Sequence, residues 1–331
     1  MKIKNYRLII HGGIISAFLL YSFTLSAQVR PLDQAILRPG SGAYSDVMHI
    51  KGETIKAMVA ALSADSMEGR ATGTRGFDKA ARWVKEFFVQ HDIQPLPGGY
   101  FQDFTVPTSV LKERLHSNEW SSETASTKNI IGYIAGNDSL RRDEFIVLTA
   151  HLDHLGKEGD SIYAGANDNA SGVASVLQIA RWIKESKTGL GRSVVFILFS
   201  GEEAGLLGSY HFVENPWIDL NKIRLLINLD LVGSGRDGIM LQGSENYPDY
   251  AVRIKKINDE WFGFEMSTRP NSPNSDHYYF NKIGLPAFFV YAYRGTMPYH
   301  APGDTSEKID EKVLENVTRW VAAMIVAFGN E

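Results

Sequence analysis

Polar residues that could bind a metal or move a proton follow three apolar runs of this sequence, directly where each run ends. The runs at 145–150, 193–199 and 223–229 are followed by His151-Leu152-Asp153, Ser200-Gly201-Glu202-Glu203 and Asp230 respectively. Short continuous apolar runs of this kind are typical of buried strands. In open α/β sheets, ligands bind beyond the carboxyl ends of the strands. We therefore expect the three polar groups to meet at one edge of a sheet.

Two loops add further candidates to this edge. Asp168 lies in the polar segment 165–172, and His300 follows Tyr299 near the end of the chain. Single candidates have ordinary explanations: Asp168 fits a turn with a helix cap, and a lone His at a strand end, such as His151, is usually structural. Acids such as Glu202 and Glu203 are also common at a helix N-terminus. Their joint occurrence favours a metal site, since clustered imidazoles and carboxylates would repel and desolvate one another unless cations neutralised them.

The remaining pattern predicts the elements that must position these groups. Apolar residues at helical spacing predict helices at 53–62, 172–186, 205–214 and 311–328, and one more that starts at about residue 78. Runs rich in β-forming residues predict strands at 129–135, 145–150, 193–199, 223–229, 239–241 and 287–291. Alternation of the two predicts an α/β fold with a mostly parallel central sheet and helices on both faces.

Composition limits the classes of protein that are possible. The chain has 331 residues, 44% of them hydrophobic, which suffices for a large core. Its 34 basic and 38 acidic residues give a net charge of −4, so nothing indicates a nucleic-acid partner. The absence of cysteine excludes disulfides, thiolate ligands and a cysteine lipid anchor.

The N-terminal segment predicts export. Lys2, Lys4 and Arg7 precede an apolar stretch that ends in Leu25-Ser26-Ala27, a small-residue cleavage site. We expect residues 1–27 to be a signal peptide, 28–50 an extended arm and 51–331 a single α/β domain. The protein would then be periplasmic or secreted, with no membrane association after cleavage; a retained anchor is the alternative.

The ordered set of motifs resembles the di-zinc aminopeptidases of clan MH, metallopeptidase family twenty-eight, over roughly residues 50–328. The motifs that carry the resemblance are His151-x-Asp153, Gly165 to Gly172, Ser200 to Gly205, Asn228-Leu229-Asp230, Ser275-Asp276-His277 and Tyr299-His300. The resemblance implies a zinc-dependent exopeptidase fold of the phosphorylase/hydrolase-like type. It also implies two zinc ions as cofactors and peptides with a free N-terminus as substrates.

The resemblance also implies a role for each matching residue. His151 and Asp230 would hold one zinc ion, Glu203 and His300 the other, and Asp168 would bridge them. Glu202 would be the general base and Tyr299 would contact the developing oxyanion. Asp153 would accept the second N–H of His151, while Asp276 and His277 would lie beside the site without binding metal. His154 is expected to support a metal ligand or to be structural, without binding metal itself, and the Asp168–Asn169 peptide bond is expected to be cis.

Two alternatives to the aminopeptidase stay open at this point. A glutaminyl cyclase has the same fold, but it usually binds one zinc ion and has Trp where this chain has Tyr299. A non-catalytic module on this fold would have lost ligands, whereas all five are present.

The segment 233–238 spells G-x-G-x-x-G, the pattern of a dinucleotide-binding loop. A strand-like run follows it rather than the helix that such a loop requires, so we expect a glycine-rich hairpin there.

Overall fold

The computed structural model describes residues 46–186 and 189–331. The expected signal peptide and residues 28–45 of the expected arm lie outside this range. Residues 46–50, predicted to end an extended arm, instead belong to the folded body. Asp46–His49 form a 3₁₀ turn, and Val47 and Ile50 are fully buried. Arg319 fixes this turn by donating hydrogen bonds to the carbonyl oxygens of Met48 and Ile50.

An eight-stranded mixed sheet forms the centre, in the order β1-β2-β6-β3-β7-β10-β8-β9. The strands are β1 (Phe101–Pro107), β2 (Thr124–Ile134), β3 (Phe145–His151), β6 (Ser193–Phe199), β7 (Ile223–Leu229), β8 (Ile239–Gln242), β9 (Met266–Arg269) and β10 (Ala287–Ala292). The four central strands β6, β3, β7 and β10 are parallel. Strands β1 and β2 are antiparallel to their neighbours, β8 is antiparallel to β10, and β9 is parallel to β8. A two-stranded sheet is formed by β4 (Gly156–Glu158) and β5 (Ser161–Tyr163).

Helices cover both faces of the sheet, as expected. They are α1 (Gly52–Leu62), α2 (Arg75–Gln90), α3 (Thr108–Arg114), α4 (Ser171–Glu185), α5 (Leu207–Glu214), α6 (Pro248–Trp261), α7 (His277–Lys282) and α8 (Glu311–Asn330). Helices α1, α2, α4, α6 and α8 share one buried apolar cluster with the sheet, and α5 and α7 share another with its opposite face. Strand β6 shows the reason: Phe196 enters the first cluster and Ile197 the second, because successive side chains point to opposite faces.

Parallel register aligns the ends of the strands that carry the polar motifs. His151 at the end of β3 is level with Phe199 of β6, and Leu229 of β7 is level with Val290 of β10. Within three residues of these ends come Asp153 after β3, Glu202 after β6 and Asp230 after β7. Strands β3, β6 and β7 are buried at nearly every residue. The polar side chains therefore come directly after the strands, at the edge of the sheet.

Several elements differ from the sequence prediction. Strands β1, β4, β5 and β9 and helices α3, α6 and α7 are additional, and α2 begins at Arg75, before the start near residue 78 that the sequence predicts. The glycine-rich segment 233–238 is followed by strand β8, but it is not a hairpin, because β10 lies between β7 and β8. Within the described ranges, no helix is both long and apolar enough to span a bilayer.

Candidate active site

A first group of metal-binding side chains forms at the end of β3. Nε2 of His151 lies 3.2 Å from Oδ1 of Asp168 and 3.4 Å from Oδ2 of Asp230. All three residues are at least 95% buried. They approach from a strand end, a loop before α4 and the next strand end, as the sequence pattern predicts.

A second group shares Asp168 with the first. Nε2 of His300 lies 3.3 Å from Oδ2 of Asp168 and 3.0 Å from Oε2 of Glu203. The two oxygens of Asp168 therefore face two different histidines. This arrangement places Asp168 between the groups, the position that the resemblance implies for a bridging ligand.

These donor sets fit divalent cations. Ligands about 2.0–2.2 Å from a tetrahedral zinc ion lie roughly 3.3–3.6 Å apart, close to the separations observed. Among the described residues, Nε2 of His151 and Oδ1 of Asp230 are buried and have no hydrogen-bond partner. A cation would satisfy both atoms, whereas leaving them unpaired costs free energy.

His154 contacts Glu203, as a residue that orients this carboxylate would. Its Nδ1 lies 2.7 Å from Oε1 of Glu203, a hydrogen-bond distance, and leaves Oε2 facing His300. His154 also belongs to a possible ligand group with Asp168 and Glu203. The 2.7 Å contact favours hydrogen bonding, because two ligands of one cation lie farther apart than this.

Asp153 supports the site differently from the sequence expectation. Nδ1 of His151 lies 3.1 Å from the backbone carbonyl oxygen of Asp153 but 3.9 Å from its carboxylate. The carboxylate instead accepts hydrogen bonds from the hydroxyl of Thr72 at 2.9 Å and from the backbone N–H of Glu202 at 3.2 Å. Asp153 thus fixes the turn that carries the expected base. Burial raises the pKa of the Asp153 carboxyl to about 6.

Glu202 lies in the turn after β6, beside Glu203. Its side chain shares a possible ligand group with His151 and Glu203, within 4.8 Å. Burial raises the pKa of Glu202 well above its usual range, and the nearby Glu203 carboxylate raises it further. A carboxylate with raised proton affinity is suited to general-base work.

The motif Ser275-Asp276-His277 supports Asp230 through its serine, a contact that the sequence did not predict. The Ser275 hydroxyl donates to Oδ2 of Asp230 at 2.9 Å and accepts from Nδ2 of Asn228 at 2.8 Å. Asp276 and His277 are fully buried beside it. Burial raises the pKa of Asp276 to about 7 and lowers that of His277 to about 3, so His277 is neutral at physiological pH.

Asp304, to which the sequence analysis assigned no role, holds the loop that carries Asp168. Its two carboxylate oxygens accept the backbone N–H groups of Asn167 at 2.8 Å and Asp168 at 3.0 Å. The Asp168–Asn169 peptide bond is cis, as expected. The backbone at Gly172 lies very close to β7. A Cβ atom at this position would be 2.4 Å from the carbonyl oxygen of Leu229, so only glycine fits.

A cavity of about 230 Å³ opens beside these groups. It is lined by Asp168, Glu202, Asp230, Leu231, Arg269, Asn274, Phe289, Tyr291 and Tyr299. The ring of Tyr299 stacks on His300 with the centroids 3.8 Å apart, and 65% of the residue is exposed. The expected base and the expected oxyanion contact therefore line the same cavity.

Arg70 is a buried cation behind the site that sequence analysis missed. Its guanidinium is 1% exposed and donates hydrogen bonds to four carbonyl oxygens. These acceptors belong to Leu62, Leu152, Ala164 and Gly165. Burial lowers the pKa of Arg70 to about 10, which still leaves it charged at neutral pH next to the carboxylates of Asp304, Asp153, Asp168 and Glu203.

Replacing Arg70 with Met is expected to lower the free energy of unfolding by about 3 kcal/mol or more, since four buried carbonyl groups would lose their donor. The melting temperature, measured by circular dichroism, should fall by several degrees. Arg82→Met, at an exposed position of α2, is the control. Equal melting temperatures for the two variants would contradict this role for Arg70.

Fold and donor cluster together define a class: α/β proteins with a cation-binding group at the carboxyl edge of a central parallel sheet. Comparison with known proteins agrees. The family model described as Peptidase family M28 matches residues 129–325. Aminopeptidase YwaD of Bacillus subtilis is 27% identical over 240 residues, covering 70% of this chain and 50% of that protein. The chain spans about half the length, or less, of the curated relatives it matches.

Solved structures show the same fold. The LapA aminopeptidase of Legionella pneumophila superposes with a TM-score of 0.67 at 19% identity, covering 99% of this chain and 80% of that one. BSAP, a zinc aminopeptidase from Bacillus subtilis, gives 0.66 at 17% identity, covering 85% and 96%. The chain belongs to peptidase family M28. The family and the fold class expected from the motifs are both confirmed.

Proposed function

We propose that this protein is a zinc-dependent aminopeptidase that removes N-terminal residues from peptides. The observation that carries the proposal is the convergence of four further donor residues around Asp168, beside a cavity that Glu202 also lines. The names of the relatives support it, since both YwaD and BSAP are described as aminopeptidases.

Two zinc ions would be held by the chain's own side chains. His151 and Asp230 would bind one ion, His300 and Glu203 the other, and Asp168 would contribute one oxygen to each. When bound, such ions supply a nucleophilic water at neutral pH and polarise the scissile carbonyl. Hydrogen bonds from Ser275 to Asp230 and from His154 to Glu203 would keep these ligands oriented.

Glu202 would act as the general base. It lines the cavity within reach of a water or a peptide placed there, and its backbone is fixed by Asp153. Its carboxylate would accept a proton from the attacking water and return it to the amine that leaves. Tyr299, at the cavity mouth, would donate its phenolic hydrogen to the carbonyl oxygen as negative charge develops there.

The carboxylates of the cavity favour substrates with a free amino terminus. Glu202 and Asp230 line it together with Asp168, so a protonated α-amino group would find anionic partners, whereas an internal peptide segment would not. We also propose export of the protein, which rests on the sequence of residues 1–27 alone.

An assay on a panel of substrates tests the function. Purified protein should cleave aminoacyl anilides, fail on their N-acetylated forms, and lose at least about 100-fold in rate after chelation, with recovery on adding zinc. Cyclisation of N-terminal glutaminyl peptides without cleavage of any anilide would favour the cyclase instead. Chelator-resistant cleavage would contradict metal-dependent hydrolysis.

A further inference from the structure

The cavity beside the donor cluster has two chemically different ends. Asp168, Glu202 and Asp230 make one end acidic, whereas Arg269 places a guanidinium in the same lining. Phe289 and Tyr291 are the aromatic wall between them, with ring centroids 4.8 Å apart. The guanidinium comes from strand β9, whereas Asn274, directly before Ser275, adds a neutral amide to the lining.

Strand register explains how Arg269 reaches the cavity. Arg269 of β9 is level with Gln242 of β8, which in turn is level with Phe289 of β10. Side chains at paired positions point to the same face, so these three form one row across the sheet. The row leads from the aromatic wall to Arg269, which is the last residue of β9.

A neutral group holds the guanidinium in place. Nη1 of Arg269 donates a hydrogen bond to the hydroxyl of Tyr291 at 2.9 Å. Gln242, its neighbour in the row, is bonded to Ser272 at 2.8 Å and to Asn274 at 2.5 Å. An arginine side chain has five N–H donors, so the bond to Tyr291 leaves others for a bound molecule.

The charge of Arg269 is not balanced by a neighbouring acid. Within residues 46–186 and 189–331, no carboxylate forms an ion pair with Arg269, whereas Arg236 pairs with Asp310 and Arg294 with Asp237. Guanidinium groups bind carboxylates in a planar, two-pronged geometry with charge-assisted hydrogen bonds. An exposed arginine held by a phenol at the rim of a substrate cavity is therefore suited to a carboxylate that arrives with the substrate.

We propose that Arg269 binds a carboxylate of the substrate, so that this enzyme prefers short peptides with a carboxylate close to the scissile bond. The carboxylate could come from the side chain of an N-terminal Glu or Asp, or from the C-terminus of a dipeptide. The acidic end of the cavity would take the amino group and Arg269 the carboxylate. In a dipeptide bound in this way, the scissile bond lies between these two groups. The proposal rests on the proposed aminopeptidase function and names its substrate class.

Kinetics on matched substrates test the proposal and separate the two sources. Glutamyl and glutaminyl anilides differ only in the side-chain charge, and Leu-Gly and Leu-Gly-amide differ only in the terminal charge. We expect wild type to prefer the charged member of at least one pair, and Arg269→Gln to reduce kcat/KM for that member about 10- to 100-fold while changing its neutral partner little. Arg269→Lys should retain part of the preference, and Arg82→Gln all of it.

Two further measurements keep the outcome interpretable. Zinc content should be equal in wild type and Arg269→Gln, which excludes damage to the donor cluster. Calorimetric binding of free glutamate and glutamine needs no turnover: glutamate should bind more tightly to wild type, and Arg269→Gln should remove the difference if the side chain is the source.

The results that would overturn the proposal are clear. Equal losses on charged and neutral substrates in Arg269→Gln, or no preference for either charged member in wild type, would show that Arg269 does not bind a substrate carboxylate. If no anilide or dipeptide is cleaved at all, the aminopeptidase function fails, and glutamate binding that is unaffected by Arg269→Gln then rejects the carboxylate site separately.

Discussion

Glu202→Gln is expected to lower turnover by about 10² to 10⁴ while leaving the zinc content unchanged. The amide has the shape of the carboxylate but cannot accept a proton from water. The backbone N–H of Glu202, which donates to Asp153 at 3.2 Å, is unaffected by the change, so the turn should keep its conformation. Steady-state rates on an aminoacyl anilide and metal analysis of the same sample measure both quantities.

The alternative role for Glu202 is that of a ligand, because it shares a possible metal-binding group with His151 and Glu203. A ligand role predicts that zinc content falls together with activity. Glu123→Gln, at an exposed position before β2, controls for the loss of one charge and should match wild type. Near-wild-type turnover in Glu202→Gln would remove the base role.

The parts of the fold and site that could be predicted are those with a local signal. The apolar runs that became β3, β6 and β7 are continuous, so the positions of His151, Glu202 and Asp230 at their ends followed from strand length alone. Their convergence then needed only the rule that parallel strands share an edge. The three residues lie at the expected edge, and their chemical roles stay predictions.

The missed residues depend on contacts far apart in the chain. Asp304 binds backbone groups 136 and 137 residues away, and Arg70 binds Leu152 and Gly165, 82 and 95 residues away. Neither has a motif around it, because its partners are carbonyl oxygens and N–H groups that every residue has. The burial of Arg70 would have marked it, but burial is not visible in a single sequence.

Arg269 was missed for a different reason. Strand β9 has the sequence Met-Ser-Thr-Arg, which shows neither an apolar run nor a strict alternation, and it lies at the edge of the sheet. Edge strands face solvent, so their composition carries little of the hydrophobic signal on which strand prediction depends. The approach of this strand to the cavity is set by its pairing with β8.

Asp168→Asn is expected to leave at most one zinc ion per chain and to lower activity by at least about 10³-fold. The two carboxylate oxygens lie 3.2 Å from His151 and 3.3 Å from His300, so each belongs to a different donor set. Asparagine keeps one oxygen, and its NH₂ group is a donor that cannot bind a cation. Asp276→Asn, an equally buried acid outside both donor sets, should keep its zinc. Metal analysis after dialysis measures the ratio, and two retained ions in Asp168→Asn would contradict a bridging position.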